Sequence, residues 1–397
     1  MQKNNINFYS KKIILTITSP LRLILAIIIL ASGYKILWIK YSKLGHLLTE
    51  VDLILKDVAL GNIRSQKWLF FYDRSKVANL AFIDLIPKSI KPIHLSSCWI
   101  KVSKLLLRSS ITAASVEEYA TAMYSTAKMF RLNATWKSRS PIIELPSEWI
   151  SEKNYLFEKL GLNQNQPYVC IHARSSNNTK DDDFEHRGRN VDIFRFSRVI
   201  EYLSERNIKI FRMGDPSMPS VVDWHKDLYD YAHMKYRHPK LDLVLSGCCQ
   251  FFVGTSSGAM YMASIFGRPV VGLGCALPFV FCPTGFGRDL GIPKLFRRKD
   301  TGQLSSFKEI FVNGLSECRT HANIERMGYE LVENTEEEMQ EVVAEMFERL
   351  NGVWCPTNFD QELQSKAQSY ISPGSHSYGS HSKCGSLFLR RYSHLVL

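Results

Sequence analysis

Between Tyr168 and Gly274 short apolar runs alternate with helical stretches, and this alternation narrows the possible folds more than any other feature. The runs are YVCIHAR, IKIFRMG, QFFVG and PVVGLG, with FRFSRVIEYLSERN and KLDLVLSGC among the stretches between them. Strands alternating with helices of about ten to fifteen residues indicate βαβ units and a parallel sheet. The segment VGTSSGAMYMASIFGRPVVGLG shows one such unit. Phe251, Phe252 and Val253 form a buried strand, Thr255, Ser256 and Ser257 suit the start of a helix, and Gly258 permits close approach to the backbone. Ala259 and Ala263 share one face of that helix, Gly267 ends it, and the next strand resumes at once. A turn of this kind directs N–H groups above the sheet, where an anion is the usual guest.

A similar alternation starts earlier. KILWIKY reads as a strand, GHLLTEVDLILKDV as a helix, KWLFFYD as a strand, and SVEEYATAMYSTAKMF as helical. A polar break near Trp136–Ser140 and the amphipathic helix EWISEKNYLFEKLGL lead into the second block. TEEEMQEVVAEMFERL ends that block, with acids in its first turn and an apolar stripe of Met339, Val342, Val343, Met346 and Leu350. The expected organisation is a basic, apolar segment over 1–34, Rossmann-like domains over 35–155 and 156–350, and a tail over 351–397 that packs back on them. Both domains are of the α/β class.

A chain of 397 residues suits two domains. The net charge of +12 implies an acidic partner. Without a long basic tract, zinc-knuckle spacing or an aromatic RNA-binding motif, nucleic acid is not that partner. Residues 1–50 carry Lys3, Lys11, Lys12, Arg22, Lys35, Lys40 and Lys43 against one acid, Glu50. Among them lies LILAIIILASGY, shorter than the ~20 residues that cross a bilayer. It reads as a buried or interfacial helix with a basic rim, or as a signal peptide. The interfacial reading places the protein in the cytoplasm, peripheral on the inner membrane face. Nine cysteines without a Cys-x-x-Cys, several in apolar contexts, suit a reducing compartment and argue against structural zinc or a disulfide framework. The Asn-x-Thr sequences at Asn133 and Asn177 then carry no glycan.

In doubly wound sheets ligands bind beyond the carboxyl ends of the strands. Three loops leave the second block in that direction: HARSSNNTKDDDFEHRGRN, RMGDPSMP and GTSSG. They supply His172, Arg174, Arg187, Arg189, Arg212, Asp215, Thr255, Ser256, Ser257 and Gly258. Guanidinium forks beside a hydroxyl–glycine turn make a site the size of a pyrophosphate.

With VCIHAR…HRGRN, IFRMGD, YDYAH, LDLVLSGCCQFFVGTSSG and GSLFLRRYSHLVL, the chain resembles a bacterial family of GT-B glycosyltransferases found among surface-polysaccharide genes. The likeness runs from about Tyr34 to the C-terminus. His172-Ala173-Arg174 is similar to the His-x-Arg motif of fucosyltransferases, although Ser175 stands where a second Arg is usual, which argues against GDP-fucose. FVGTSSG is similar to the donor-phosphate loop of heptosyltransferases. The resemblance implies two Rossmann-like domains facing across a cleft, a nucleotide-sugar donor on the C-terminal half, and a glycan or lipid-linked acceptor on the N-terminal half. The donor is a substrate, and no separate cofactor is expected. Arginines with a helix terminus can stabilise the departing nucleoside diphosphate without a metal ion. The base that takes the acceptor proton is sought among His46, on a strand-to-helix turn, and Asp183, Glu185 and His186. Asp181–Asp183 resembles the Asp-x-Asp metal motif of the GT-A fold but reads better as a solvated loop. A sugar-nucleotide epimerase, a pyruvyl transferase and a non-catalytic nucleotide-sugar-binding module are the alternatives.

Overall fold

The computed structural model describes residues 19–107, 126–175, 187–275, 281–282, 284–318 and 320–397. It divides into unit 1, Met1–Tyr124, and unit 2, Ser125–Leu397.

Unit 1 opens with helix α1 (Ser19–Ala31), followed by strand β1 (Tyr34–Leu37), helix α2 (Leu44–Ala59), strands β2 (Lys67–Tyr72) and β3 (Ile90–His94), and helix α3 (Ser97–Leu107). The three strands form a parallel sheet in the order β1-β2-β3. β3 was not legible because Pro92 interrupts it. An edge strand tolerates proline, since one side of its backbone has no ladder to complete. Leu47, Leu48, Val51 and Ile54 of α2 are buried with Ile36, Leu37 and Phe70 of the sheet. α1 packs on α3 and β1 yet leaves Leu21, Ile24, Ile27 and Ile28 about half exposed (48–57 %). At 100° per residue these four fall within about 120° of arc, one continuous face. Among the described residues of unit 1, four of the five carboxylates are buried: Glu50, Asp52, Asp57 and Asp73. Each has an internal partner, respectively His46, Lys56, Asn62 and Ser97. Ten lysines and arginines are exposed there, against Asp84 alone.

Unit 2 begins at Ser125, so it takes in α4 (Thr126–Trp136) and all of α5 (Ile150–Lys159), which runs across residue 155. α4 donates a hydrogen bond from Asn133 Nδ2 to the Thr284 carbonyl (2.8 Å). α5 packs on a later helix of the unit. The strands are β4 (Tyr168–His172), β5 (Lys209–Arg212), β6 (Leu228–Tyr229), β7 (Phe252–Gly254), β8 (Val270–Cys275), β9 (Leu290–Pro293), β10 (Leu295–Arg298), β11 (Tyr329–Val332) and β12 (Lys383–Cys384). Seven of them form a parallel sheet in the order β12-β9-β8-β7-β4-β5-β6, while β10 and β11 make a separate antiparallel pair. α6 (Ser197–Ser204), α7 (Pro239–Cys248) and the short α8 (Met260–Ser264) connect strands of the large sheet.

After α9 (Phe307–Val312) and α10 (His321–Arg326) comes α11 (Glu336–Leu350), which starts on a capping box of Thr335 and Glu338. Its Met339, Val342, Val343 and Met346 are buried as expected, whereas Leu350, its last residue, is exposed. It is not the last helix. α12 (Asn358–Ser369), α13 (Ser386–Arg391) and α14 (Ser393–Val396) follow, and the tail over 351–397 packs on unit 2. There it lays β12 beside β9, buries Leu363, Phe388, Leu389 and Val396, and joins Arg390 to Asp360 by two bonds of 2.6 Å.

Candidate functional site

β4 is the first strand of the large sheet. β5 and β6 add on one side of it, and β7, β8 and β9 on the other. Chain order therefore reverses between β4 and β7, and in an open α/β sheet that reversal leaves a ligand crevice at the carboxyl ends. His172 and Gly254, the last residues of these two strands, are register partners. A β-carbon on Gly254 would lie 3.3 Å from the His172 carbonyl oxygen, so glycine permits the close approach of the two strand ends.

The loops leaving these strands are tied together. Thr255 N–H donates to the His172 carbonyl (3.2 Å), and Arg174 N–H donates to Thr255 Oγ1 (2.9 Å). Thr255 thus spends its hydroxyl on the neighbouring loop rather than on a helix. α8 begins only at Met260, with no side-chain cap, so the expectation that Thr255–Ser257 cap a helix is corrected. The amides of Ser256, Ser257 and Gly258 form no hydrogen bond among the described residues. Ser257 Oγ and Ser175 Oγ are buried without a partner among those residues. A buried polar atom of this kind normally has a partner, which here points to a ligand or water.

Cations surround the turn. The Arg174 guanidinium donates to Asn190 Oδ1, and Arg189 lies near Tyr261. Lys294 follows β9 with its side chain 1 % exposed, and its Nζ donates to the Asn190 carbonyl (2.9 Å) and to Glu333. Burial pulls the Lys294 ammonium down from its ordinary value, and Glu333 opposes that pull. His172 is buried, with Nδ1 donating to the Met213 carbonyl (3.1 Å). Burial pushes this imidazole down to about 4, so it is neutral near pH 7.

The structure uses two predicted ligands differently. Arg212 is buried, donating from one guanidinium nitrogen to Asp230 (3.1 Å) and from another to the Pro219 carbonyl (3.0 Å). Its charge is therefore matched inside the protein. Asp215 folds onto Ser217. Its burial favours the neutral acid, but the Ser217 hydrogen bonds and the Arg237 charge outweigh this and hold it below the usual range. In unit 1, His46 Nδ1 lies 2.7 Å from Glu50 Oε1, while Glu50 Oε2 accepts from Lys40 N–H (3.0 Å). A fully buried carboxylate thereby orients the imidazole. Asp181–Asp183, Glu185, His186 and Asn177 lie outside the described residues, as does the side chain of Arg187.

Sequence reading missed Asn190, Lys294, Glu333 and Glu50. Lys294 closes GIPK, a strand too short and too rich in Gly and Pro to stand out, so its place at a carboxyl end could not be seen. Glu50 had a signal: it lies four residues after His46, one helical turn away.

Neither a protein-family model nor a curated protein matches the chain. Among solved structures it is similar to the ADP-heptose lipopolysaccharide heptosyltransferase II of E. coli, at 13 % identity and a TM-score of 0.43, over 65 % of this chain and 90 % of that one. It is also similar to a glycosyl transferase of family 9 from Veillonella parvula, at 11 % identity and 0.39, over 61 % and 80 %. A third is the iron-containing dodecameric glycosyltransferase TibC of enterotoxigenic E. coli, at 14 % and 0.32, over 66 % and 61 %. Scores this low assign neither substrate nor chemistry to this chain.

Proposed function

We propose that the protein is a glycosyltransferase that takes its sugar from a nucleotide-sugar donor held by unit 2. The observation that carries this reading is the join between Arg174 and Thr255 at the point where chain order reverses. It leaves three successive amides without acceptors among the described residues, beside Arg174, Arg189 and Lys294, a setting suited to a diphosphate. When the glycosidic bond to the donor phosphate breaks, negative charge grows on the departing diphosphate. Fixed cations and amides stabilise that charge more than the bound ground state, which is how they accelerate the step. The same groups can fill the role of a divalent ion, so the reaction is proposed to run without one and to persist in EDTA. His46, oriented by Glu50, is the proposed base for the acceptor hydroxyl.

The acceptor is proposed to be a glycan or lipid-linked saccharide of a bacterial surface polysaccharide, met at the inner face of the cytoplasmic membrane. Charge supports this placement. Residues 1–124 hold seventeen Lys and Arg against seven Asp and Glu, whereas residues 125–397 hold thirty-three against thirty-one. No described helix is long and apolar enough to cross a membrane, so the contact would be peripheral.

The test is calorimetric titration of nucleoside diphosphates. Charge-assisted hydrogen bonds contribute about 1.5–3 kcal/mol each, so Arg174→Ala should weaken the tightest-binding diphosphate at least tenfold with the melting temperature unchanged. Equal affinity in a folded variant would remove Arg174 from the site.

A further inference from the structure

Two flanks border the Arg174–Thr255 join at the carboxyl ends of the sheet. Towards β8 and β9, a β-carbon on Gly274 would meet Val191 at 2.9 Å and Lys294 at 3.3 Å. Asn334 Oδ1 accepts the Gly274 amide there (3.1 Å). Side chains fill that flank. Towards β5 and β6 the floor is continuous. Thr255 is bonded to His172, and the His172 ring to the Met213 carbonyl. Gly214, next in the chain, lies against the loops that follow: a β-carbon there would meet Met218 Sδ at 2.6 Å and Ala232 Cβ at 3.6 Å. Arg237 Nε fixes the Gly214 carbonyl (2.9 Å), locking the two loops together.

The turn that ends this floor is Tyr231–His233, just beyond β6. His233 Nδ1 lies 2.8 Å from Asp230 Oδ2, an oxygen that also accepts the Val221 amide (2.9 Å). The other oxygen of Asp230 takes the buried Arg212 guanidinium. A carboxylate can only accept, so Nδ1 donates to Asp230, and Nε2 makes no hydrogen bond among the described residues. The imidazole is 22 % exposed while the Asp230 side chain is 1 % exposed. Arg212, expected on the phosphate, instead sits behind a histidine that it helps to hold.

We propose that His233 is the nucleoside contact of the donor site: its Nε2 hydrogen-bonds the ribose or the polar edge of the base, with Asp230 and Arg212 as positioning residues. β6 lies two strands from β4, about 10 Å away, a separation that a nucleoside can span from its diphosphate. This inference rests on the nucleotide-sugar reading and adds the residue that selects among nucleosides.

The experiment titrates the full chain with ADP, GDP, UDP, CDP and inorganic pyrophosphate, comparing wild type with His233→Ala and Arg174→Ala. Wild type should prefer one nucleotide. His233→Ala should lose at least tenfold for that nucleotide, flatten the preference among the four, and bind pyrophosphate within twofold of wild type. Arg174→Ala should weaken all five. An unchanged nucleotide preference in His233→Ala overturns the assignment while leaving the donor reading intact. Equal losses for nucleotides and pyrophosphate also overturn it, because they would mean that the floor has moved. If wild type binds none of the five, the donor reading falls and this inference with it.

Discussion

His172 illustrates how burial and one hydrogen bond tie a side chain's protonation to the fold. Its imidazole links the floor of the crevice to the β5 loop, and burial holds it at about 4. In the unfolded chain a histidine titrates near about 6.5. As pH falls, the unfolded chain takes up this proton first, so His172 contributes stability above about pH 6.5 that drains away down to about pH 4. His172→Asn keeps a donor for the Met213 carbonyl and removes the titration. Urea unfolding should show wild type losing on the order of 3 kcal/mol more than the variant across that window. Parallel losses in the two proteins would assign the pH dependence to another group. The sequence marked His172, Arg174 and Thr255 as neighbours because each follows an apolar run, and strand ends of one sheet must converge. It placed Arg212 with them for the same reason, and the structure gives that guanidinium Asp230 and the Pro219 carbonyl as partners. Position after a strand says where a guanidinium starts, but whether it meets a ligand or Asp230 depends on a turn eighteen residues later.

At the scale of elements, the strands with long apolar runs were legible and the short ones were not. β6 has two residues, and β9 is Leu-Gly-Ile-Pro, which no periodicity can reveal. Yet β9 is fully buried and carries β12 on its far edge. Its glycine is a packing device, since a β-carbon on Gly291 would lie 1.9 Å from the Phe281 carbonyl oxygen and 3.0 Å from that of Gly272. No side-chain rotation relieves a clash with backbone. Gly291→Ala should cost about 3 kcal/mol or more, read as a fall in the urea midpoint at unchanged slope. A variant as stable as wild type would show that β9 can shift within the sheet. α8 was overestimated for a related reason. Hydroxyls ahead of a small-residue run suggested a helix from Thr255, but Thr255 is held by Arg174, and the first helical residue is Met260.

At the scale of the molecule, charge and exposed apolar surface coincide in unit 1. α1 turns Leu21, Ile24, Ile27 and Ile28 outward on a unit whose exposed charges are almost all positive. An amphipathic helix with cations around it seats in the headgroup region, and each cation near an anionic surface contributes about 1 kcal/mol. Wild type should therefore sediment with anionic vesicles and not with neutral ones. Ile24→Ser with Ile28→Ser should weaken that binding at least tenfold while leaving nucleotide affinity unchanged. Undiminished sedimentation would mean that the cations alone suffice and the apolar face has another purpose. Composition gave the net charge, but not that unit 1 hides four of its carboxylates, so that its described residues show the solvent almost nothing but bases. This burial also bears on what keeps unit 1 folded. Among its described residues the exposed lysines and arginines have Asp84 alone as exposed acid to offset them, while the buried carboxylates are matched internally. Small anions from the medium then become a working part of the folded state, with a screening length of about 10 Å at 0.1 M salt. Unit 1 should behave as a polyelectrolyte whose melting point climbs with ionic strength or with added polyphosphate, while the nearly neutral unit 2 melts at one temperature throughout.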